Sequence, residues 1–358
     1  MREGQPPREA GDQSSADGRG RDPRAVADAQ GTGDRPPASS GARDAGAPGL
    51  GNAPNTLSAS RYLAWLYSPA PQQRVFAVLC EIENEIAGSL RPDIDHHVAH
   101  ARLQWWNEEC ERCVQGRPVH PLTRELVKAS GDPSRLAGVK GFVDTAVWDL
   151  ASATFETRRE LTAYCERWSV AMFETAAVPS AGDQPTVAHP NATTSSASPA
   201  ADAVRGVANA SDAGGEPSKA ARVRGLGAAV RELELLENLA REARAGRLRV
   251  PLDELERAGV VSHSVAKLPW PAALGTLLSQ RHETLRATIR DSISALGREE
   301  QPRLRGLAVW VALAWRQSLR TQRALPNSIQ PRRYHALADG WQAWRAARRA
   351  AAGKLRLS

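Results

Sequence analysis

The sequence predicts an all-α fold with a single large helical domain, on three observations. Apolar side chains recur at three- and four-residue steps along nearly every foldable stretch. No period-two alternation runs long enough to build a sheet. Pro121, Pro251, Pro271 and Pro302 stand at the starts of apolar-periodic segments, where proline's missing N–H costs nothing.

The elements follow in order. A short helix is expected near Leu57 to Tyr67, stopped by Ser68-Pro69-Ala70-Pro71. A second spans about Gln72 to Leu90, with Val75, Val78, Leu79, Ile82 and Ile86 on its buried stripe. A third covers Ile94 to Gln115, with Leu103, Trp106, Cys110 and Val114 inward and Gly116 closing it. Shorter helices are expected at Pro121 to Ala129 and Pro133 to Leu150, then a longer one at Arg158 to Ala177. The next helix contains the stretch from Glu232 and ends at the Gly246-Arg247 turn before Pro251. Its residues Leu226, Val230, Leu233, Leu236 and Ala240 form one apolar stripe. A short helix at Leu252 to Ala258 precedes three more, at Pro271 to Leu296, Pro302 to Ala324 and Arg332 to Ala351. Val309 to Trp315 is apolar on nearly all sides, so its helix belongs at the centre.

Two stretches do not fit a core. Residues 1–55 and 178–219 hold few large apolar side chains, too few to offset the ordering of the chain, and both are expected to be disordered. About 260 residues remain, enough for one large domain built from 56–177 and 220–352, with 353–358 as a tail. The N-terminus has no apolar signal region, and no apolar run reaches membrane-spanning length. The expected location is cytoplasmic, or peripheral on the inner face of a membrane.

The net charge is +7, and arginine dominates the C-terminal third. Those arginines are spread over helices and accompany no nucleic-acid motif, so nucleic acid is not an expected partner. Cys110 and Cys113 have C-x-x-C spacing, but they lie within a helix and lack a second pair; with Cys80 and Cys165 they read as small buried hydrophobes. His96, His97 and His100 open a helix without a metalloprotease arrangement around them.

Two polar faces carry the candidate chemistry. On the second helix, Glu81, Asn84 and Glu85 share a face, with Arg74 two turns earlier. On the helix containing Glu232, the residues Glu234, Asn238 and Glu242 recur every four residues, flanked by Arg231, Arg241 and Arg247. Facing each other, Glu81, Glu85, Glu234, Asn238 and Glu242 would supply the hard oxygen donors that Mg²⁺ prefers. Read as ordinary solvent faces, the same residues would be held by i,i+4 ion pairs such as Glu237 with Arg241.

Four blocks over much of residues 57–296 resemble the squalene/phytoene synthase superfamily, the head-to-head branch of the trans-isoprenyl diphosphate synthases. Gln73-Arg74 to Cys80 is similar to the family's R-x-x-A-x-x-A-x-Y-A-F-C. Arg102-Leu103-Gln104-Trp105-Trp106 to Gly116, with His120-Pro121-Leu122, resembles its R-L-x-W-W, G and H-P block. Leu161, Tyr164 and Cys165 resemble the start of L-x-x-Y-C. Leu226-Gly227 with Ala229, then Gly246-Arg247, Pro251, Asp253-Glu254-Leu255 and Gly259, resemble the block that closes on G-R-x-Y-L-P-x-D-E-L and G. The resemblance implies an isoprenoid-synthase-type helical bundle around a central cavity, Mg²⁺ held by aspartates, and an isoprenoid diphosphate ligand.

The chain departs from the pattern where that chemistry sits. The first D-x-x-x-D falls on Asn84 and Gly88, and the second on Asn238 and Glu242. Arg231 and Glu234 stand where the family has Gln and Asn, Glu237 replaces an arginine, and the tyrosine of G-R-x-Y falls on Arg249. The glycines after Y-C fall on Val170 and Phe173. Ile82 to Ala87 resembles a divergent subgroup with A-F-N-x-E-I-A, which includes relatives of a mitochondrial complex I assembly factor.

Two functions are therefore expected. One is a synthase-fold protein without the condensing activity, acting as a binding or assembly protein toward an apolar or isoprenoid ligand or a protein partner. The other is a Mg²⁺-dependent prenyl transferase, with Glu81, Glu85, Glu234 and Glu242 on the metal and Arg74, Arg231 and Arg247 on diphosphate. A third reading makes Trp341, Trp344 and the Arg345 to Arg349 cluster an interfacial helix for anionic lipid.

Overall fold

The computed structural model describes residues 57–151, 154–177, 218–325 and 335–357. The stretches expected to be disordered, 1–55 and 178–219, fall almost wholly outside these residues, as does the expected start of the last helix. Every regular element among the described residues is helical, as the periodicity predicts.

In chain order these are α1 (Ala59–Tyr67), α2 (Ala70–Gly88), α3 (His96–Val114) and α4 (Pro121–Ser130). A 3₁₀ segment (Pro133–Lys140) leads into α5 (Gly141–Leu150), and α6 (Arg158–Ser169) continues through a π turn (Val170–Glu174) into α7 (Thr175–Ala177). Then come α8 (Lys219–Glu237), α9 (Leu239–Arg244), α10 (Leu252–Arg257), α11 (Ala272–Ser294), α12 (Glu300–Arg303), α13 (Arg305–Ala324) and α14 (Ala336–Ala351). Local chemistry sets several ends. The Asp95 carboxylate accepts from the His97 and Val98 amides to start α3. His120 Nδ1 accepts from Leu122 N ahead of Pro121 in α4. Gly246, at φ +82°, takes the left-handed conformation that turns the chain after α9.

α13 is the centre. Every residue from Gly306 to Trp315 is buried, and the helix packs against α1, α8, α11 and α14. The apolar stripes expected on α2 and α8 are buried too. α8 lies close against α6 because residue 227 is glycine. A Cβ there would collide with the Ser169 hydroxyl and the Phe173 ring.

Four helices are less continuous than their sequence periodicity implies. The segment from Pro133 begins as 3₁₀, and the helix from Arg158 widens into the π turn, which leaves Ala171, Met172 and Phe173 all buried. The helix expected from Pro302 is split at Leu304 (φ −98°, ψ 13°), so Pro302 ends up in the single turn of α12. The long helix through Glu234 breaks at Asn238 (φ −101°, ψ 6°), where the side-chain amide donates to Glu234 O at 2.9 Å. A side chain that competes for backbone acceptors in this way favours a helix end over a helix interior.

Two buried polar bridges tie the helices. Glu232, almost fully buried, accepts from Arg158 Nη1 at 2.5 Å and from Arg281 Nε and Nη2, each at 2.5 Å; Arg158 also pairs with Glu254. This joins α6, α8, α10 and α11. Between α11 and α13, His282 Nδ1 lies 2.9 Å from Ser318 Oγ, which also accepts from Arg286 Nη1 at 2.8 Å. Burial, reinforced by the Arg286 charge, pushes the His282 pKa down to about 4, so the ring is neutral at physiological pH.

Candidate functional site

A cleft of about 630 Å³ opens where α1, the end of α2, α5, α8 and the α9–α10 turn meet. Six arginines line it (Arg61, Arg91, Arg231, Arg241, Arg247 and Arg249) against four carboxylates (Asp149, Glu234, Glu237 and Glu242). The lining is therefore cationic, and the lining carboxylates with a described partner are all paired with arginine.

Arg61 of α1 grips Glu83 of α2, with Nη1 at 2.5 Å from Oε2 and Nη2 at 3.3 Å from Oε1. Trp168 Nε1 donates to the same carboxylate at 2.7 Å. On α8, Glu234 receives Trp310 Nε1 at 3.2 Å and lies 3.7 Å from both Arg61 and Arg231. Arg231 reaches back to Glu83 at 3.8 Å. Two guanidiniums and two carboxylates thus form a neutral quartet. Indoles wall it: Arg61 stacks 5.0 Å from the Trp310 ring, and Arg231 5.0 Å from that of Trp168.

A second cluster lines the same cleft. Arg249 is only 3% exposed; it pairs with Asp149 at 2.7 Å and approaches Glu242 at 3.6 Å. Glu242 also takes Arg247 Nε at 2.9 Å and Arg241 at 3.4 Å. Tyr164 joins the clusters, donating to Asp149 at 3.1 Å and accepting from Arg231 at 3.4 Å.

The charges reinforce one another. Burial works against the Glu83 carboxylate, but Arg61, Arg231 and the Trp168 hydrogen bond outweigh it and hold its pKa below the usual range. Glu242 is depressed likewise: burial opposes, and Arg247 and Arg249 prevail. Burial raises the Cys80 thiol beneath the quartet to about 12, which keeps it protonated. Such groups make poor bases and nucleophiles. What the cleft retains is an excess of positive charge, six lining arginines against four lining carboxylates; the Nε atoms of Arg231 and Arg249 are sealed from solvent without a hydrogen-bond partner.

Of the residues singled out in the sequence, the cleft brings together Arg231, Glu234, Asn238, Glu242 and Arg247. It does not gather Glu81, Glu85 and Arg74. Arg74 pairs with Glu125 of α4 at 2.5 Å, and Glu81 shares that environment; burial and Glu125 raise its pKa. Glu85 is exposed one turn further along. The acid that α2 turns inward is Glu83. It lies on the same stripe as Phe76, Leu79 and Ile86, and an acid on an apolar stripe is the sequence signal that marks it. Arg61 and Asp149 also escape sequence reasoning, and Arg249 is marked there only by standing at the tyrosine position of G-R-x-Y.

Mg²⁺ ions take near-octahedral oxygen shells at about 2.1 Å and accept few substitutes for them. Here Glu83 and Glu234 already share two guanidiniums, and Glu242 has three arginines around it. Among the described residues no three His, Cys, Asp or Glu side chains stand as a metal-ligand set. The donors do not fit the metal cluster that the sequence resemblance implies. There is room for what is missing: a Cβ at Gly88 would meet no atom within 4 Å.

The sequence pattern of squalene/phytoene synthase matches residues 55–339. Among solved structures, a dehydrosqualene synthase in complex with ligand superposes with a TM-score of 0.57 at 12% identity, covering 81% of this chain and 90% of that one. Squalene synthase HpnC from Alicyclobacillus acidocaldarius superposes with a TM-score of 0.53 at 13% identity, covering 74% and 88%. At these identities the likeness speaks for the fold. No curated protein sequence matches the chain.

Proposed function

The chain belongs to the squalene/phytoene synthase family, and on that premise we propose that it is a non-condensing member that binds an anionic-headed, isoprenoid-type ligand without metal. Its role would be that of a binding or assembly protein. The observation that carries this reading is the Arg61–Glu83–Arg231–Glu234 quartet, in which guanidinium groups supply the positive charge at the inner carboxylates. Promoting ionisation of a diphosphate ester needs mobile, concentrated positive charge on the leaving group. Guanidiniums already committed to carboxylates contribute little of it.

Three further features support a bound ligand of this kind. Phe76, Trp168, Phe173 and Trp310 fill the interior beside the quartet, so an apolar tail would lie along Leu90, Pro92 and Leu235 in the cleft. The cleft volume falls within the range of small-ligand sites. The six arginines that line the cleft suit phosphate oxygens.

The alternative is a Mg²⁺-dependent prenyl-diphosphate transferase with displaced ligands, favoured by the retention of Glu234 and Glu242 in the cleft. Titration of the full chain with farnesyl diphosphate, with Mg²⁺ or with EDTA, separates the two, together with an assay for released diphosphate. The binding reading expects EDTA-insensitive affinity that falls as salt rises, and no diphosphate release. Mg²⁺-dependent release abolished by Glu242→Ala would establish the transferase instead.

A further inference from the structure

We propose that α14 is a docking helix for the surface of an anionic lipid bilayer. Leu337, Trp341, Trp344 and Arg348 follow one another at steps of four, three and four residues, and so form a single outward stripe. Leu337 is 92% exposed, Trp341 60% and Trp344 37%; among the described large apolar side chains Leu337 is the most exposed. The opposite face, with Ala343, Ala346, Ala347 and Ala350, is buried and packs on α13 and α1. The stripe is therefore not a core face left loose. It belongs to a helix already seated by its small residues.

The chemistry of the stripe selects the occupant. Trp341 and Trp344 stack with ring centroids 4.7 Å apart, and the Arg348 guanidinium lies 5.0 Å from the Trp344 ring. Indoles beside arginines are suited to the headgroup layer, where the ring is sheltered and the cation stays wet. Charge is one-sided as well. Between residues 335 and 357, Arg345, Arg348, Arg349, Lys354 and Arg356 are all exposed. The single acid in that stretch, Asp339, is buried and held by Arg320 at 3.1 Å and Arg316 at 3.9 Å. A protein partner would more commonly be met by mixed charges at the rim; a uniformly cationic face with an indole centre matches an anionic bilayer. No helix of the described chain is long and apolar enough to cross a membrane, so the contact is with the surface.

The test is co-sedimentation of the full chain with vesicles of pure phosphatidylcholine and of phosphatidylcholine mixed with phosphatidylglycerol. Binding to the mixed vesicles alone, weakened by salt, is the expected result. Arg345→Gln/Arg348→Gln/Arg349→Gln should lower partitioning on the order of a hundredfold. Trp341→Ala/Trp344→Ala should lower it about tenfold or more. Both sets are solvent-facing, and unchanged melting temperatures verify the fold. Failure of the natural chain to bind mixed vesicles would overturn the proposal, as would variants that bind equally well. So would a self-associated natural chain that Trp341→Ala converts to monomer, since the stripe would then be an interface between copies.

Discussion

The Arg61 guanidinium covers both oxygens of the Glu83 carboxylate, across the α1–α2 boundary. In a site that held metal through its carboxylates, those oxygens would face the cation. Here they face a side chain, and Arg231 and Glu234 complete the arrangement.

Glu83→Gln should destabilise the protein by about 3 kcal/mol, because it leaves Arg61 and Arg231 half-buried with one carboxylate between them. Glu81→Gln and Glu85→Gln, outside the quartet, should stay within about 0.5 kcal/mol. Urea unfolding of the three variants measures both. Equal small losses would show that the quartet adds nothing to folding.

Mg²⁺ should give the natural chain no thermal shift. Arg231→Gln combined with Asn238→Asp removes one guanidinium and adds one hard donor beside Glu234. In that variant a Mg²⁺-dependent gain should emerge, about 1.4 kcal/mol at ten times the dissociation constant. A shift of equal size in the natural chain would show that the guanidiniums do not exclude the metal.

Acid should weaken the fold through His282. Its folded pKa of about 4 lies below the ordinary 6.5, so between these values the unfolded chain binds a proton that the folded chain does not. Stability is therefore complete above pH 6.5 and is lost as pH falls toward 4, by roughly 3 kcal/mol. His282→Gln should flatten that window in denaturant titrations at stepped pH. An unchanged slope would assign the acid sensitivity elsewhere.

Gly227→Ala should cost about 1–3 kcal/mol by overpacking, since its Cβ meets Ser169 and the Phe173 ring. Gly225→Ala, whose Cβ would find only the Ser292 hydroxyl at 3.7 Å, should be neutral or better. Thermal melting of the pair separates close packing from helix propensity.

The fold was largely legible because burial on a helix writes itself as spacing: the stripes on α2, α8 and α13 are all buried. The breaks were not. Asn238 and Leu304 leave helical geometry within runs whose apolar periodicity continues past them, and the π turn at Val170 depends on how α6 meets α8. The site was half legible. Arg231, Glu234 and Asn238 share a face of α8, and Glu242 with Arg247 follow beyond the break, so the helix itself delivers them to one cleft. Glu81 and Glu85 have the spacing of a metal motif but the wrong side of their helix. Arg249 and Asp149 meet only through tertiary packing, about a hundred residues apart in sequence, which no local pattern records.

A metal centre has an off state: a chelator strips it, and scarcity empties it. The Arg61–Arg231 pair has none. Both guanidiniums are bonded to the chain, and their pKa values, lifted further by the neighbouring carboxylates despite burial, keep them charged at any pH the fold survives. The positive charge that these two side chains bring to the cleft is thus independent of pH and of any chelator.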